Sequence, residues 1–240
     1  MFKCKVLGLF VLVVLLVGCT PPTGSIRGSG ELVTQEEHIS GFDRLVVGNA
    51  FKVDIRQGET FSVVVRVDDN LLGKLAVEKR GSTLHIGLKP GLGLSLQDVT
   101  QEAEVTMPEL AGLELSGAPR ATVSGFKSTK CLDVDVSGAS QLLGEIGAGD
   151  ARFDVSGSSG VTLRGSAGNV IVYARGASTV DLADLPVADA SVKAVGASNV
   201  TVNPSGILDA NASGASHVYF VGNPRLGSWE ASTASSIKRK

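Results

Sequence analysis

An internal repeat of about nineteen residues runs through the second half of the chain. The octet D-V-D-V-S-G-A-S at residues 133–140 returns as R-F-D-V-S-G-S-S at residues 152–159. Related copies align on one glycine each, and successive glycines lie 18 to 21 residues apart: Gly117, Gly138, Gly157, Gly176, Gly196 and Gly214. Self-similarity at a fixed short period indicates identical structural units that stack on one another.

Each copy alternates apolar and polar residues. The positions four and two residues before the glycine are apolar in every copy, as with Val134 and Val136 before Gly138. The position between them is polar, and we expect it to face solvent: Glu114, Asp135, Asp154, Tyr173, Lys193 and Asn211. A period of two is typical of strands. The sequence therefore predicts an all-β fold, a parallel β-helix or solenoid with coils of about 19 residues.

The repeat glycine is expected at a corner between two strands, where the backbone needs a positive φ that glycine adopts at little cost. A small residue follows it, which allows successive corners to stack closely. The next position is a serine in five copies, and we expect these hydroxyls to form a hydrogen-bonded ladder along the corner: Ser140, Ser159, Ser178, Ser198 and Ser216.

The N-terminal third is less regular but has the same strand-like alternation. Residues 44–58, 61–67, 75–79 and 82–88 all read as strands or strand pairs. We expect more irregular β coils here, or a β cap that covers the exposed end of the solenoid. No linker-like segment interrupts the chain after residue 30, so the sequence predicts one domain over residues 31–240.

The first nineteen residues have the pattern of a secretory signal peptide, with Lys3 and Lys5 before an apolar run. The segment L-V-G-C that ends at Cys19 resembles the lipobox of bacterial lipoproteins. That resemblance implies a lipid-anchored mature chain that begins at Cys19, and Thr20 implies the outer membrane. The alternative is an ordinary signal peptide with a chance cysteine. Residues 20–30 are rich in Pro, Gly and Ser and are predicted to form a flexible tether.

After processing, Cys131 is the one cysteine that would remain unmodified. A single thiol cannot form an intramolecular disulfide. We expect Cys131 to behave as a small buried apolar residue, because free cysteines are among the most buried residues in proteins.

The order of several segments resembles the head GIN domain family of auto-transporter adhesins. The segments are I-S-G-F-D-R-L-V-V-G-N-A-F-K-V-D-I-R-Q-G (39–58), V-D-D-N-L-L (67–72), the repeated V-S-G-A-S copies and V-Y-F-V-G-N-P (218–224). The resemblance covers residues 30–240. It implies an exported β-helical protein with a role in adhesion or envelope structure, and it supplies no established activity or site residues.

Candidate sites for chemistry are few. His38, His85 and His217 have no metal-binding spacing, and the net charge of −2 argues against a nucleic-acid partner. Glu114, Asp135 and Asp154 stack three like charges, which a cation such as calcium would relieve. A solvated, salt-screened face is the alternative, and no other cofactor is expected.

The repeat favours a membrane-anchored, non-catalytic module for adhesion, envelope structure or ligand recognition. Its expected partners are the membrane, through the lipid, and an envelope polysaccharide or surface protein bound by many weak contacts. A carbohydrate-active enzyme, either a polysaccharide lyase or a hydrolase on a β-helix, is the alternative. The short, even repeat leaves little chain for the loops that would wall a substrate groove, so an enzyme is not expected.

Overall fold

The computed structural model describes residues 25–89, 95–232 and 234–240. The predicted signal peptide at 1–19, Cys19 and the first part of the predicted tether lie outside these ranges. Within the described residues, no helix is long and apolar enough to cross a membrane.

The described part of the N-terminal third contains nine strands and one short helix. The strands are β1 (Ser25–Arg27), β2 (Leu32–Glu37), β3 (Arg44–Val47), β4 (Lys52–Gln57), β5 (Ser62–Asp68), β6 (Leu75–Arg80), β7 (Thr83–Leu88), β8 (Ser95–Gln97) and β9 (Gln101–Met107). The helix α1 spans Asp69–Leu72, between β5 and β6.

The regular elements described in the repeat region are all strands. They are β10 (Gly112–Leu115), β11 (Arg120–Lys127), β12 (Leu132–Val136), β13 (Gln141–Gly147), β14 (Ala151–Val155), β15 (Gly160–Ser166), β16 (Val170–Gly176), β17 (Thr179–Val187), β18 (Ala190–Gly196), β19 (Asn199–Pro204), β20 (Ile207–Gly214), β21 (His217–Phe220), β22 (Arg225–Ala231) and β23 (Ser236–Arg239).

Two long sheets face each other across the core. Sheet I has ten strands in the order β22-β20-β18-β16-β14-β12-β10-β3-β7-β6, and sheet II has eleven in the order β2-β5-β9-β4-β11-β13-β15-β17-β19-β21-β23. Strands from successive copies pair in parallel and in register, so that Val134 lies beside Phe153 and Asp135 beside Asp154. The predicted parallel β-solenoid is confirmed, and it makes about seven turns.

The apolar columns of the repeat form one continuous core. Val134, Val136, Phe153 and Val155 are all at most 1% exposed. Burying a side chain of this size is worth about 1.5–3 kcal/mol. Each coil obtains that burial from the coils above and below it, so stacking is the main source of stability.

The repeat glycine adopts the predicted corner conformation. Its φ is positive in all six copies, for example 79° at Gly138 and 78° at Gly176. The following residue donates its N–H to the glycine carbonyl of the preceding coil, as from Ala177 to Gly157 at 2.8 Å. The corners therefore stack backbone on backbone.

The serine row at the corner is buried, whereas we expected a hydroxyl ladder along the corner. The five serines are at most 2% exposed. Ser140 Oγ donates to Ser137 O (2.6 Å) and Ser198 Oγ to Val195 O (2.9 Å), while the Ser178 and Ser198 hydroxyls lie 3.4 Å apart. The hydroxyls of Ser140, Ser178 and Ser198 donate to backbone carbonyls, whereas the buried Ser159 Oγ has no hydrogen-bond partner among the described residues. The row is buried, so it is not a binding surface.

The N-terminal end forms the expected cap through antiparallel strands. β2 pairs antiparallel with β5, β5 with β9, and β6 with β7. Buried Asp68 accepts hydrogen bonds from the Thr100 N–H (2.6 Å) and the Gly30 N–H (2.8 Å). These donors stabilise the carboxylate and lower the pKa of Asp68.

Two local expectations differ from the structure. Residues 25–30, assigned to the flexible tether, are held in place, because β1 pairs in parallel with β8 and Gly30 bonds to Asp68. Cys131 is exposed and not buried. It lies in the turn just before β12, where Leu132 is the first residue to face the core.

Candidate recognition surface

The polar column of the repeat is a straight row on the outer face of sheet I. Glu114 pairs with Asp135, Asp135 with Asp154, and Asp154 with Tyr173. Lys193 and Asn211 continue the row. All six side chains are exposed except that of Asp154, which is half-buried. The structure therefore brings the predicted residues together at the spacing of neighbouring strands, about 4.8 Å.

Two arginines neutralise Asp154. Arg175 Nη2 lies 2.6 Å from Asp154 Oδ1, and Arg152 Nη2 lies 3.9 Å from Asp154 Oδ2. The Arg152 guanidinium also lies 5.4 Å from the centre of the Tyr173 ring, within range of a cation–π contact. Sequence reasoning missed both arginines because they stand outside the aligned column. Arg152 lies two residues before Asp154, and Arg175 lies two residues after Tyr173. Strand alternation therefore places both arginines on the same face as the column, and this could have identified them.

Asp135 has the least favourable electrostatic environment in the row. Partial desolvation raises its pKa, and the negative charges of Asp154 and Glu114 raise it further, while Arg175 opposes the change. The ionised form of Asp135 is thus disfavoured relative to a free aspartate.

The three carboxylates do not converge on a point. They follow the solenoid axis, one on each strand, and the described part of the chain contains no group of three or more His, Cys, Asp or Glu side chains arranged to hold a metal ion. The positive charge beside Asp154 comes from arginine. Calcium binding by Glu114, Asp135 and Asp154 stays untested, and a solvated, salt-screened face stays the alternative.

Apolar surface lies beside the charged groups. Ile171 is 43% exposed and Tyr173 36% exposed, on one face of β16. With Arg152, Asp154 and Arg175 they form what we call the recognition patch. Tyrosine and arginine are the residue types that contribute most often to binding energy at interfaces. The patch offers an aromatic face, a methyl-rich side chain and both signs of charge within two neighbouring strands, β14 and β16.

Sheet II has a depression of about 290 Å³ on its outer face, lined by residues that include Lys52, Glu102, Arg120 and Leu143. Glu102 is already paired there, with Arg66 at 2.7 Å and Lys52 at 3.4 Å. The negative charge of Glu102 is therefore already neutralised by Arg66 and Lys52.

Short connections join the strands of the solenoid. From β10 to β22, each connection between strands is two to four residues long. Such turns are too short to rise above the sheets and enclose a ligand. The surface therefore suits an extended ligand laid across the coils better than a small substrate held in a cleft.

Comparisons with known proteins agree on the fold. A family profile described as "putative auto-transporter adhesin, head GIN domain" matches residues 41–224. No curated protein matches the sequence significantly.

Three solved structures have the same fold. A putative adhesin from Bacteroides fragilis superposes with a TM-score of 0.83 at 18% identity, over 90% of this chain and 100% of that one. A putative adhesin from Parabacteroides merdae gives 0.70 at 17% identity, over 90% and 99%. A putative lipid binding protein from Parabacteroides distasonis gives 0.69 at 19% identity, over 90% and 99%.

Proposed function

The chain belongs to the putative auto-transporter adhesin, head GIN domain family, and we propose that it is a non-catalytic recognition module of the cell envelope. In this proposal a lipid on Cys19 anchors the solenoid to the outer membrane, and the recognition patch binds an envelope polysaccharide. The adhesin names of the family and of two structural relatives support an envelope-associated, non-enzymatic role.

The recognition patch is the observation that carries the proposal. Tyr173 presents a ring against which a sugar can stack, and Arg175 and Asp154 supply donors and acceptors for its hydroxyl groups. The patch continues into Lys193 and Asn211 along the same row. A polymer with a regular repeat can contact several strands at once, so individually weak contacts add.

A binding experiment with matched variants tests the patch. The full chain, purified in detergent, is titrated with a panel of envelope polysaccharides by calorimetry. Tyr173→Ala and Arg175→Ala are expected to weaken binding at least about tenfold, because each removes a central contact. Leu143→Ala is the control, since Leu143 is 48% exposed but lies on sheet II.

The same samples are assayed for new reducing or unsaturated sugar ends. Saturable binding without turnover supports the proposal. Turnover would overturn it in favour of a carbohydrate-active enzyme. Binding that depends on the patch but requires a surface protein instead of a polysaccharide would overturn the choice of ligand.

Membrane fractionation tests the anchor. Cys19→Ala is expected to leave the outer-membrane fraction and to appear as soluble or unprocessed protein, because no thiol remains for the lipid. Cys131→Ala is the matched control, since Cys131 is an exposed cysteine far along the chain. The lipoprotein assignment fails if Cys19→Ala fractionates like the parent.

A further inference from the structure

The two ends of the solenoid differ in how their edges are protected. At the N-terminal end, core-facing positions of the edge strands hold charged side chains, Glu37 on β2 and Lys79 on β6. Glu37 accepts from Gln35 Nε2 at 2.6 Å, and Lys79 Nζ donates to Ser40 O at 2.8 Å. Inward-pointing charges are a common protection against edge-to-edge pairing.

Sheet I lacks such protection at the C-terminal end. β22 is its last strand, and among the described residues no further strand pairs with the outer edge of β22. Leu226 and Trp229 stand opposite Leu208 and Ala210, which are buried, so both continue core-facing columns. They are nevertheless 49% and 39% exposed.

The Trp229 ring packs against Phe220 and is otherwise partly exposed to solvent. It contacts Phe220 edge to face, with ring centres 6.0 Å apart. The exposed parts of Trp229 and Leu226 form an apolar surface at the end of the core. Exposed apolar surface next to an unpaired strand edge is a typical protein interaction site.

The charge pattern of β22 indicates what pairs with it. In R-L-G-S-W-E, Arg225 and Glu230 are equally distant from the midpoint between Gly227 and Ser228, and so are Leu226 and Trp229. Leu226 and Trp229 face the core, and Arg225 and Glu230 alternate with them to face outward. The strand is therefore complementary to itself when it is turned around.

We propose that the β22 edge pairs antiparallel with β22 of a second copy about a two-fold axis. This arrangement places Arg225 opposite Glu230 of the second copy and Leu226 opposite Trp229 of the second copy, twice each by symmetry. A bulge at Gly227 and Ser228, where the Ser228 N–H donates to Asp209, lies at the axis. The pairs on either side of the bulge hold the two edges together.

Sheet II does not join in the same way. Its last strand, β23, ends in Lys238 and Arg239, and Lys240 follows. A two-fold axis would bring these cations toward the same cations of the second copy, and like charges repel. The dimer therefore joins through sheet I, with the two solenoid axes inclined to each other.

Sedimentation equilibrium of the full chain in density-matched detergent tests the proposal. We expect a monomer–dimer equilibrium between micromolar and millimolar protein. Trp229 is the only tryptophan, so its emission should shift to the blue as the dimer forms and back on dilution. A monomer throughout this range, or open-ended polymers, would overturn the proposal.

Charge-swap variants test the register. Arg225→Glu or Glu230→Arg alone puts like charges opposite each other twice, and we expect the dissociation constant to rise at least about tenfold. The double variant Arg225→Glu/Glu230→Arg restores both pairs and should regain the dimer. Glu59→Arg, with the same charge change in an exposed loop, should dimerise like the parent. Single variants that dimerise like the parent, or a double variant no better than the singles, would refute this register.

Discussion

Gly176→Ala probes the stacked corners directly. The φ of Gly176 is 78°, and a Cβ added there would lie 2.8 Å from the carbonyl oxygen and 3.2 Å from the nitrogen of Gly157 in the preceding coil. Both contacts are with backbone, which cannot swing away as a flexible side chain would. The corner must shift, and with it the 2.8 Å hydrogen bond from the Ala177 N–H to Gly157 O.

The expected loss of stability has three parts. Holding alanine in the left-handed region costs about 1–2 kcal/mol. Relieving the backbone overlap costs about 1–3 kcal/mol, as in other overpacked sites. The smaller entropy of the unfolded chain with alanine returns about 0.4–1 kcal/mol. Gly176→Ala should therefore lower the free energy of unfolding by about 1–5 kcal/mol.

Urea unfolding of the full chain, followed by far-UV circular dichroism, measures this loss. Gly160→Ala is the matched control, because Gly160 has ordinary φ and an added Cβ would meet nothing within 4 Å. We expect Gly160→Ala to be neutral or to stabilise by up to about 1 kcal/mol. The stacked-corner account is refuted if both variants lose the same stability, or if Gly176→Ala loses none.

Three further predictions concern the aspartates. Asp68→Asn should lower the free energy of unfolding at pH 7 by about 2 kcal/mol, because a lowered pKa means that the ionised Asp68 stabilises the fold at pH values above its ordinary pKa of 3.8. The difference between variant and parent should shrink as acid protonates Asp68, and melting temperatures measured across pH check this. Asp135→Asn should raise stability in the same assay. Because the pKa of Asp135 is raised in the folded protein, the free energy of unfolding of the parent falls as this carboxyl ionises with rising pH. The variant should therefore be more stable than the parent by less than about 1 kcal/mol at pH 7 and equally stable near pH 3. Calcium titration should leave the melting temperature unchanged, because arginine already neutralises Asp154; a rise would support a cation site on Glu114, Asp135 and Asp154.

The fold was predictable from sequence because a coil stack places like residues above like. The columns through Val134 and Val136, and the positive φ of the glycines, follow from that rule. The N-terminal cap was predicted only in outline, since antiparallel pairs such as β2 with β5 repeat nothing in the sequence. Residues 25–30 are fixed in part by the hydrogen bond from Gly30 to Asp68, which is distant in the chain. No local sequence pattern indicates this contact.

The recognition patch was predictable in part. Period-two alternation placed Asp154 and Tyr173 on the outer face correctly. It did not show that Arg175 reaches back across one strand to Asp154, because that depends on the conformation of a long side chain. The inward turn of the serines was also missed, since the alternation of a strand does not extend through a corner.

The uniform register of the sheet I strands from β10 to β20 makes the length of this protein adjustable in fixed steps. Because these strands pair through the same repeat positions, inserting or deleting one repeat would leave both the cap and the β22 edge unchanged. Each such step moves the two ends apart or together by about 4.8 Å. The solenoid can thus serve as a molecular ruler, whose reach from the cap to the open end changes by gene duplication without redesign of either end.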